Sequence, residues 1–138
     1  MYQLSFDFSF TDPYNIEDFI LSHENINAFN IINRLDCHKS NLSEIINIFG
    51  PRSCGKTHLM HIANKKHEAN FLNYVKIKND DIFSIIKNHN IYILENADLI
   101  NNENFLLYLL NIIKEKEAIL LLTSENRIEN QKFILPDL

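Results

Sequence analysis

The 138-residue chain holds two glycines, where a domain of average composition carries about ten. It also has only two cysteines and three prolines. Its apolar runs, such as Ala118 to Leu122, fall far short of the roughly 18 residues a membrane span needs. Each shortage excludes something. A collagen-like or Gly/Ser-linker chain is ruled out, and Cys37 and Cys54 build no disulfide framework, which suits a reducing compartment. No charged-then-apolar signal opens the chain, so a cytoplasmic protein with no membrane partner is expected. Basic residues are also scarce: 13 Lys and Arg against 18 Asp and Glu give a net charge of −5. No stretch neutralises a row of phosphates, so direct sequence-specific DNA binding is not expected.

What is present describes one globular domain: 46% hydrophobic, 22% charged and 11% aromatic residues. A chain of this length buries roughly two-thirds of the surface it exposes when unfolded, enough for a full core. Ile and Asn are unusually frequent, as the codon usage of an AT-rich genome would produce.

Along the chain, Leu4, Phe6, Phe8 and Phe10 alternate with polar neighbours, an extended or strand-like pattern that Thr11-Asp12-Pro13 breaks. Ile26, Phe29, Ile32 and Leu35 recur every three residues, predicting a helix over 24–35 with Ser22 as N-cap. Thereafter strands and helices alternate. Strands are expected at 44–49, 71–77, 91–94 and 118–123, and helices at 57–69, 80–88 and 103–117. Apolar strands separated by helices imply a parallel sheet covered on both faces, a doubly wound α/β domain.

Gly50-Pro51-Arg52-Ser53-Cys54-Gly55-Lys56-Thr57 fits the phosphate-loop pattern G-x-x-x-x-G-K-[ST], placed after a predicted strand and opening a helix. Backbone N–H groups from Ser53 to Thr57 then converge on phosphate oxygens where the helix dipole also favours negative charge. Gly50 and Gly55 let the backbone turn tightly and approach closely. Lys56 would reach the β-phosphate of ADP or the β- and γ-phosphates of ATP, and the Thr57 hydroxyl would ligate Mg²⁺. Cys54, a thiol at a helix N-terminus beside a lysine, is either a low-pKa redox group or a tolerated loop residue. His58 and His61 lie one turn apart, but no third ligand is spaced for a metal.

A phosphate-loop site also needs a carboxylate at the end of a neighbouring buried strand, and a second acid where water is to be activated. Glu95 follows Ile91-Tyr92-Ile93-Leu94 and takes the metal position. Asn96 takes the position of the base, and an amide orients water without accepting its proton. A site that binds nucleotide and hydrolyses it poorly is expected. Asp98 is close enough to compete for either role. Thr123 and Ser124 end the last strand, where their hydroxyls would stand beside the γ-phosphate.

Taken together, the loop GPRSCGKTHL, the strand IYILEN, the segment LLLTSENR and the LPDL that follows resemble the AAA+ ATPases related to the bacterial replication initiator DnaA. Within them, the regulatory inactivators that act on DnaA are the most similar. The resemblance spans Gln3 to Leu138. It implies an AAA+ fold, an adenine nucleotide, and contacts to that nucleotide from His58 and from Phe19, Ile20 and Asn25 around the adenine. It further implies that Gln3-Leu4-Ser5-Phe6-Asp7-Phe8 docks on the DNA polymerase sliding clamp: Gln3 supplies an amide, and Leu4, Phe6 and Phe8 enter an apolar groove. The alternative is that this segment forms an edge strand of the domain. The expected organisation is a clamp-binding tail over 1–12 and a partial AAA+ domain over 13–138. Ser22, Ser53 and Asn96 depart from residues common in DnaA. Family members continue past LPDL into an arginine finger, a fifth strand and a helical lid. A fragment is therefore expected, with the strand at 44–49 left as an open sheet edge. Two rivals stand beside this reading, a stand-alone phosphate-loop ATPase or kinase and a DnaA-like initiator or helicase loader.

Overall fold

A computed structural model describes residues 2–5, 25–35, 44–52, 55–77 and 81–128. Its elements are β1 (Tyr2–Ser5), α1 (Ile26–Asn33), β2 (Glu44–Phe49), α2 (Lys56–His67), β3 (Asn70–Phe71), α3 (Tyr74–Ile77), α4 (Ile82–Ile85), β4 (Ile91–Leu94), α5 (Glu103–Glu115) and β5 (Ile119–Ser124). The strands form one parallel sheet in the order β1-β2-β5-β4-β3.

The period-two alternation of β2, β4 and β5 separates two cores. On one face Ile46, Ile48, Leu121, Ile93 and Ile91 pack with Ala28 and Ile32 of α1 and Leu59, Met60, Ile62 and Ala63 of α2. On the other, Leu120, Leu122, Tyr92 and Leu94 pack with Leu106, Leu109, Leu110 and Ile113 of α5 and with Ile77 and Ile82 of the short helices. Strands buried on both faces read as continuous apolar runs, as β4 and β5 do. The doubly wound parallel sheet expected from the sequence is the architecture found.

Three local expectations are corrected. First, β2 has no open outer edge: β1 pairs with it in parallel, Tyr2 opposite Ile46 and Ser5 opposite Phe49. Residues 2–5 therefore adopt the edge-strand alternative. Second, the strand expected over 71–77 shrinks to Asn70–Phe71, because Asn73 starts helix α3 instead. Its carbonyl accepts from the Lys76 and Ile77 N–H groups at 3.1 and 3.0 Å. Third, the helix expected over 80–88 is the single turn of α4. Asp81 caps it by accepting from Phe83 N–H at 3.1 Å, and Ile86 then turns extended. The Tyr92 hydroxyl supports that early stop, accepting from Lys87 N–H at 2.7 Å and donating to the Ile85 carbonyl at 3.3 Å.

Because β1 supplies the pairing on β2's outer side, deleting residues 1–5 is expected to expose the backbone of an apolar strand to other chains. Static light scattering at equal concentration checks this. A deletion variant as monodisperse as the full chain would show that β1 does not protect the edge.

Candidate functional site

All five strands are parallel, so their carboxyl ends lie along one side of the sheet, where ligands of open α/β sheets bind. Three ends meet there. β2 runs into Gly50, β5 ends at Thr123 and Ser124, and β4 runs into Glu95. Because β5 lies between β2 and β4, its end sits between the loop and the acid. Phe49 is opposite Ser124 and Leu94 opposite Leu122, and Gly50 N–H extends the ladder by donating to the Ser124 carbonyl at 3.1 Å.

On the loop side, Gly55 is the N-cap of α2 at φ 101°, a left-handed conformation in which a Cβ would clash. Its carbonyl accepts from Leu59 N–H at 3.1 Å and starts the helix. The first turn of a helix favours an anion through its N–H groups and its dipole, and Lys56, Thr57 and His58 open α2. The Lys56 ammonium donates to the Gly50 carbonyl and, at 2.8 Å, to the Pro51 carbonyl, spanning the mouth of the loop. Thr57 is half-buried in the first turn of α2. His58 is buried, on the core side of that turn. Ser53 and Cys54 lie outside the described residues.

On the acid side, Glu95 is half-buried. Its charge bears on His61, one turn along α2 from Thr57. Burial pushes the His61 imidazole below its ordinary value and Glu95 partly opposes this, while Lys65 and His58 push the same way as burial. The His61 ring also lies against Phe71, centroids 4.8 Å apart. Asn96 is exposed and adopts the left-handed conformation, φ 57°, which Asn tolerates better than most residues.

The two strand-end hydroxyls differ in role. Thr123 Oγ1 accepts from Asn96 N–H at 3.0 Å and so joins the ends of β5 and β4. Ser124 is fully buried. Its hydroxyl donates to the Asn126 carbonyl at 2.7 Å and accepts from Asn47 Nδ2 at 3.1 Å. Asn47, a buried amide inside β2, was not singled out from the sequence. One polar residue within the run Ile45-Ile46-Asn47-Ile48 was the signal that could have found it. Asp98 is likewise committed elsewhere: Oδ2 accepts from Glu125 and Asn126 N–H at 3.1 and 3.4 Å. Its carboxylate holds the turn after β5.

Of the adenine-side residues, Asn25 is buried at the start of α1, where its carbonyl accepts from Phe29 N–H at 2.9 Å. Phe19 and Ile20 lie outside the described residues. So do Phe6 and Phe8, whereas Gln3, Leu4 and Ser5 stand in β1 opposite Asn47, Ile48 and Phe49. Among the described residues no three His, Cys, Asp or Glu side chains gather as a metal site, and no helix is long and apolar enough to cross a membrane.

A parallel sheet with helices on both faces, a glycine-bounded loop after β2 and an acid after β4 defines a doubly wound α/β fold. Solved structures agree with that class. The chain is similar to a crystal structure of a DNA replication initiation factor, with TM-score 0.64 and 14% identity over 87% of this chain and 46% of that one. It is similar also to AMPPCP-bound DnaA from Aquifex aeolicus, with TM-score 0.60 and 16% identity over 87% and 44% of the two chains. The likeness is one of fold, and the chain spans under half the length of these proteins. No family model and no curated protein matches the sequence.

Proposed function

We propose that the chain is a DnaA-type AAA+ module that holds ADP or ATP at the loop Gly50–Thr57 and serves in the control of replication initiation. The observation that carries this reading is the meeting of three strand ends, with Lys56 and Thr57 on one side, Glu95 on the other and Thr123 between. The likeness in fold to a DnaA solved with AMPPCP supports it. Thr57 and Glu95 supply hard oxygen donors of the kind Mg²⁺ takes, a metal that is otherwise held by water and by the phosphates of its nucleotide. When bound, the metal would neutralise charge between the phosphates. Asn96 carries no group that accepts a proton from water, so at most weak intrinsic hydrolysis follows.

The finer reading is a regulator of the Hda kind, tethered to the sliding clamp through Gln3–Phe8 and promoting ATP hydrolysis on DnaA. Tethering has a structural consequence. Gln3, Leu4 and Ser5 pair with β2, so a clamp groove that takes the same backbone in extended form must compete with that pairing. Docking would then uncover β2.

Titration with a fluorescent ADP analogue, with and without Mg²⁺, tests the nucleotide site; saturable, Mg²⁺-dependent binding is expected, and its absence removes the reading. The clamp is tested separately by surface-immobilised clamp and the double variant Gln3→Ala, Leu4→Ala. Equal retention of variant and parent would exclude tethering by this segment.

A further inference from the structure

The turn that follows β5 is bound to both halves of the site, and one side chain ties it to the acid-bearing half. Ser124 and Ile128, both buried, anchor its two ends. Toward the loop, Ser124 O accepts from Gly50 N–H, and Arg52 Nε lies 3.6 Å from Glu125 Oε2. That ion pair is exposed on both sides and contributes little. Toward β4, the Asp98 carboxylate takes the two successive N–H groups of Glu125 and Asn126, and Thr123 Oγ1 takes that of Asn96. Asp98 sits in the 3-10 turn Ala97–Leu99, two residues beyond Asn96 and three beyond Glu95. The end of β5 and the turn after β4 are therefore cross-linked twice, once by a neutral hydroxyl and once by a charge-assisted pair of hydrogen bonds, the stronger kind.

From this geometry we infer that Asp98 is a positioning residue. It fixes Thr123 and the turn after β5 against Glu95 and Asn96, and so sets how the site receives the terminal phosphate of a triphosphate. The inference rests on the proposed nucleotide site. The terminal phosphate is the part affected because the loop N–H groups and Lys56 hold the phosphates from the β2 side, while the Asp98 link controls the β4–β5 side. A diphosphate, held by the loop and through the metal by Thr57 and Glu95, lacks the phosphate that Thr123 would meet and is indifferent to that link. Asn and Asp share the acceptor oxygen, so Asp98→Asn keeps part of the link, whereas Asp98→Ala removes it.

Two measurements on the full chain decide the matter. In amide hydrogen exchange without nucleotide, Asp98→Ala is expected to speed exchange at Glu125 and Asn126, and also at Asn96, by about tenfold, with Asp98→Asn intermediate. In calorimetric titrations, Asp98→Ala is expected to weaken AMPPCP binding about tenfold while ADP stays within about twofold of the parent. Equal weakening of both nucleotides, or of neither, would overturn the role, as would an Asn96 amide that exchanges at the parent rate. Should the parent bind neither nucleotide, the proposed function fails by itself, and the Asn96 exchange rate alone then decides whether Asp98 couples the two turns.

Discussion

Replacing Leu121 by alanine is expected to lower unfolding free energy by about 3 kcal/mol, within the range for a buried leucine truncated in a close-packed core. Leu121 is fully buried on β5, with Ile46 of β2 on one side and Ile93 of β4 on the other in register. Those three side chains face the same core as Leu59 and Ile62 of α2. The neighbours on the sheet are fixed by ladder hydrogen bonds, so the lost methyl groups leave a cavity that backbone movement cannot fill. A fall of about 10 °C in melting temperature follows for a domain of this size. Val75→Ala is the control: it sits 71% exposed on α3 and is expected to change stability by no more than about 0.5 kcal/mol. Denaturant unfolding followed by circular dichroism checks both. A Leu121→Ala variant as stable as Val75→Ala would show that the layer between α2 and the sheet is loosely packed.

The same layer explains how much of the fold could be read from the chain. Glu44–Phe49 and Ile91–Leu94 were legible to the residue because each is a short, mostly apolar stretch bounded by polar residues or glycine. The helix at 103–115 was legible for the complementary reason: Phe105, Leu106, Leu109, Leu110 and Ile113 repeat at helical spacing, and Asn102 caps it by accepting from Phe105 N–H at 3.0 Å. Failure came where side-chain hydrogen bonds outvote apolar pattern. Phe71-Leu72-Asn73-Tyr74-Val75 reads as a strand by residue type, yet Asn73 offers both its carbonyl and Oδ1 to Lys76 N–H and begins a helix. The partner of β1 was beyond local reading altogether. Alternation shows that a segment is extended, while its choice of β2 depends on a contact more than forty residues away.

The site divides in the same way. In the proposed site, Gly50, Gly55, Lys56 and Thr57 are named by sequence pattern, because backbone approach to phosphate restricts residue type and spacing at once. Asn47 and Asp98 are not, since each works through a hydrogen bond to a distant segment: Asn47 to Ser124, and Asp98 to Glu125 and Asn126. Asp98 read in sequence as a candidate for the role of Glu95 or of Asn96, and only the turn after β5 shows where its carboxylate is spent. Among the described residues at these strand ends, Glu95 is then the acid proposed for a metal.

Lys56→Ala is expected to weaken ADP binding about a hundredfold, the equivalent of about 2.7 kcal/mol and within reach of one lost ammonium contact to phosphate. The ammonium now donates to the carbonyls of Gly50 and Pro51, two neutral acceptors at the mouth of the loop. A phosphate offers it charged oxygens instead, so the exchange favours binding wherever the loop N–H groups hold the anion in place. Those N–H groups survive the substitution, because Gly55 and the first turn of α2 do not depend on the lysine side chain. Residual binding should therefore persist at high ADP concentration and stay dependent on Mg²⁺ through Thr57 and Glu95. Lys56→Arg should not restore affinity, since a planar guanidinium cannot occupy the space of a compact ammonium. Neither change should shift the melting temperature by more than a few degrees, because the two hydrogen bonds lost are partly exposed. Calorimetric titration of the folded variants gives the readout, and ADP affinity unchanged in Lys56→Ala would mean that the loop does not hold a nucleotide through its lysine.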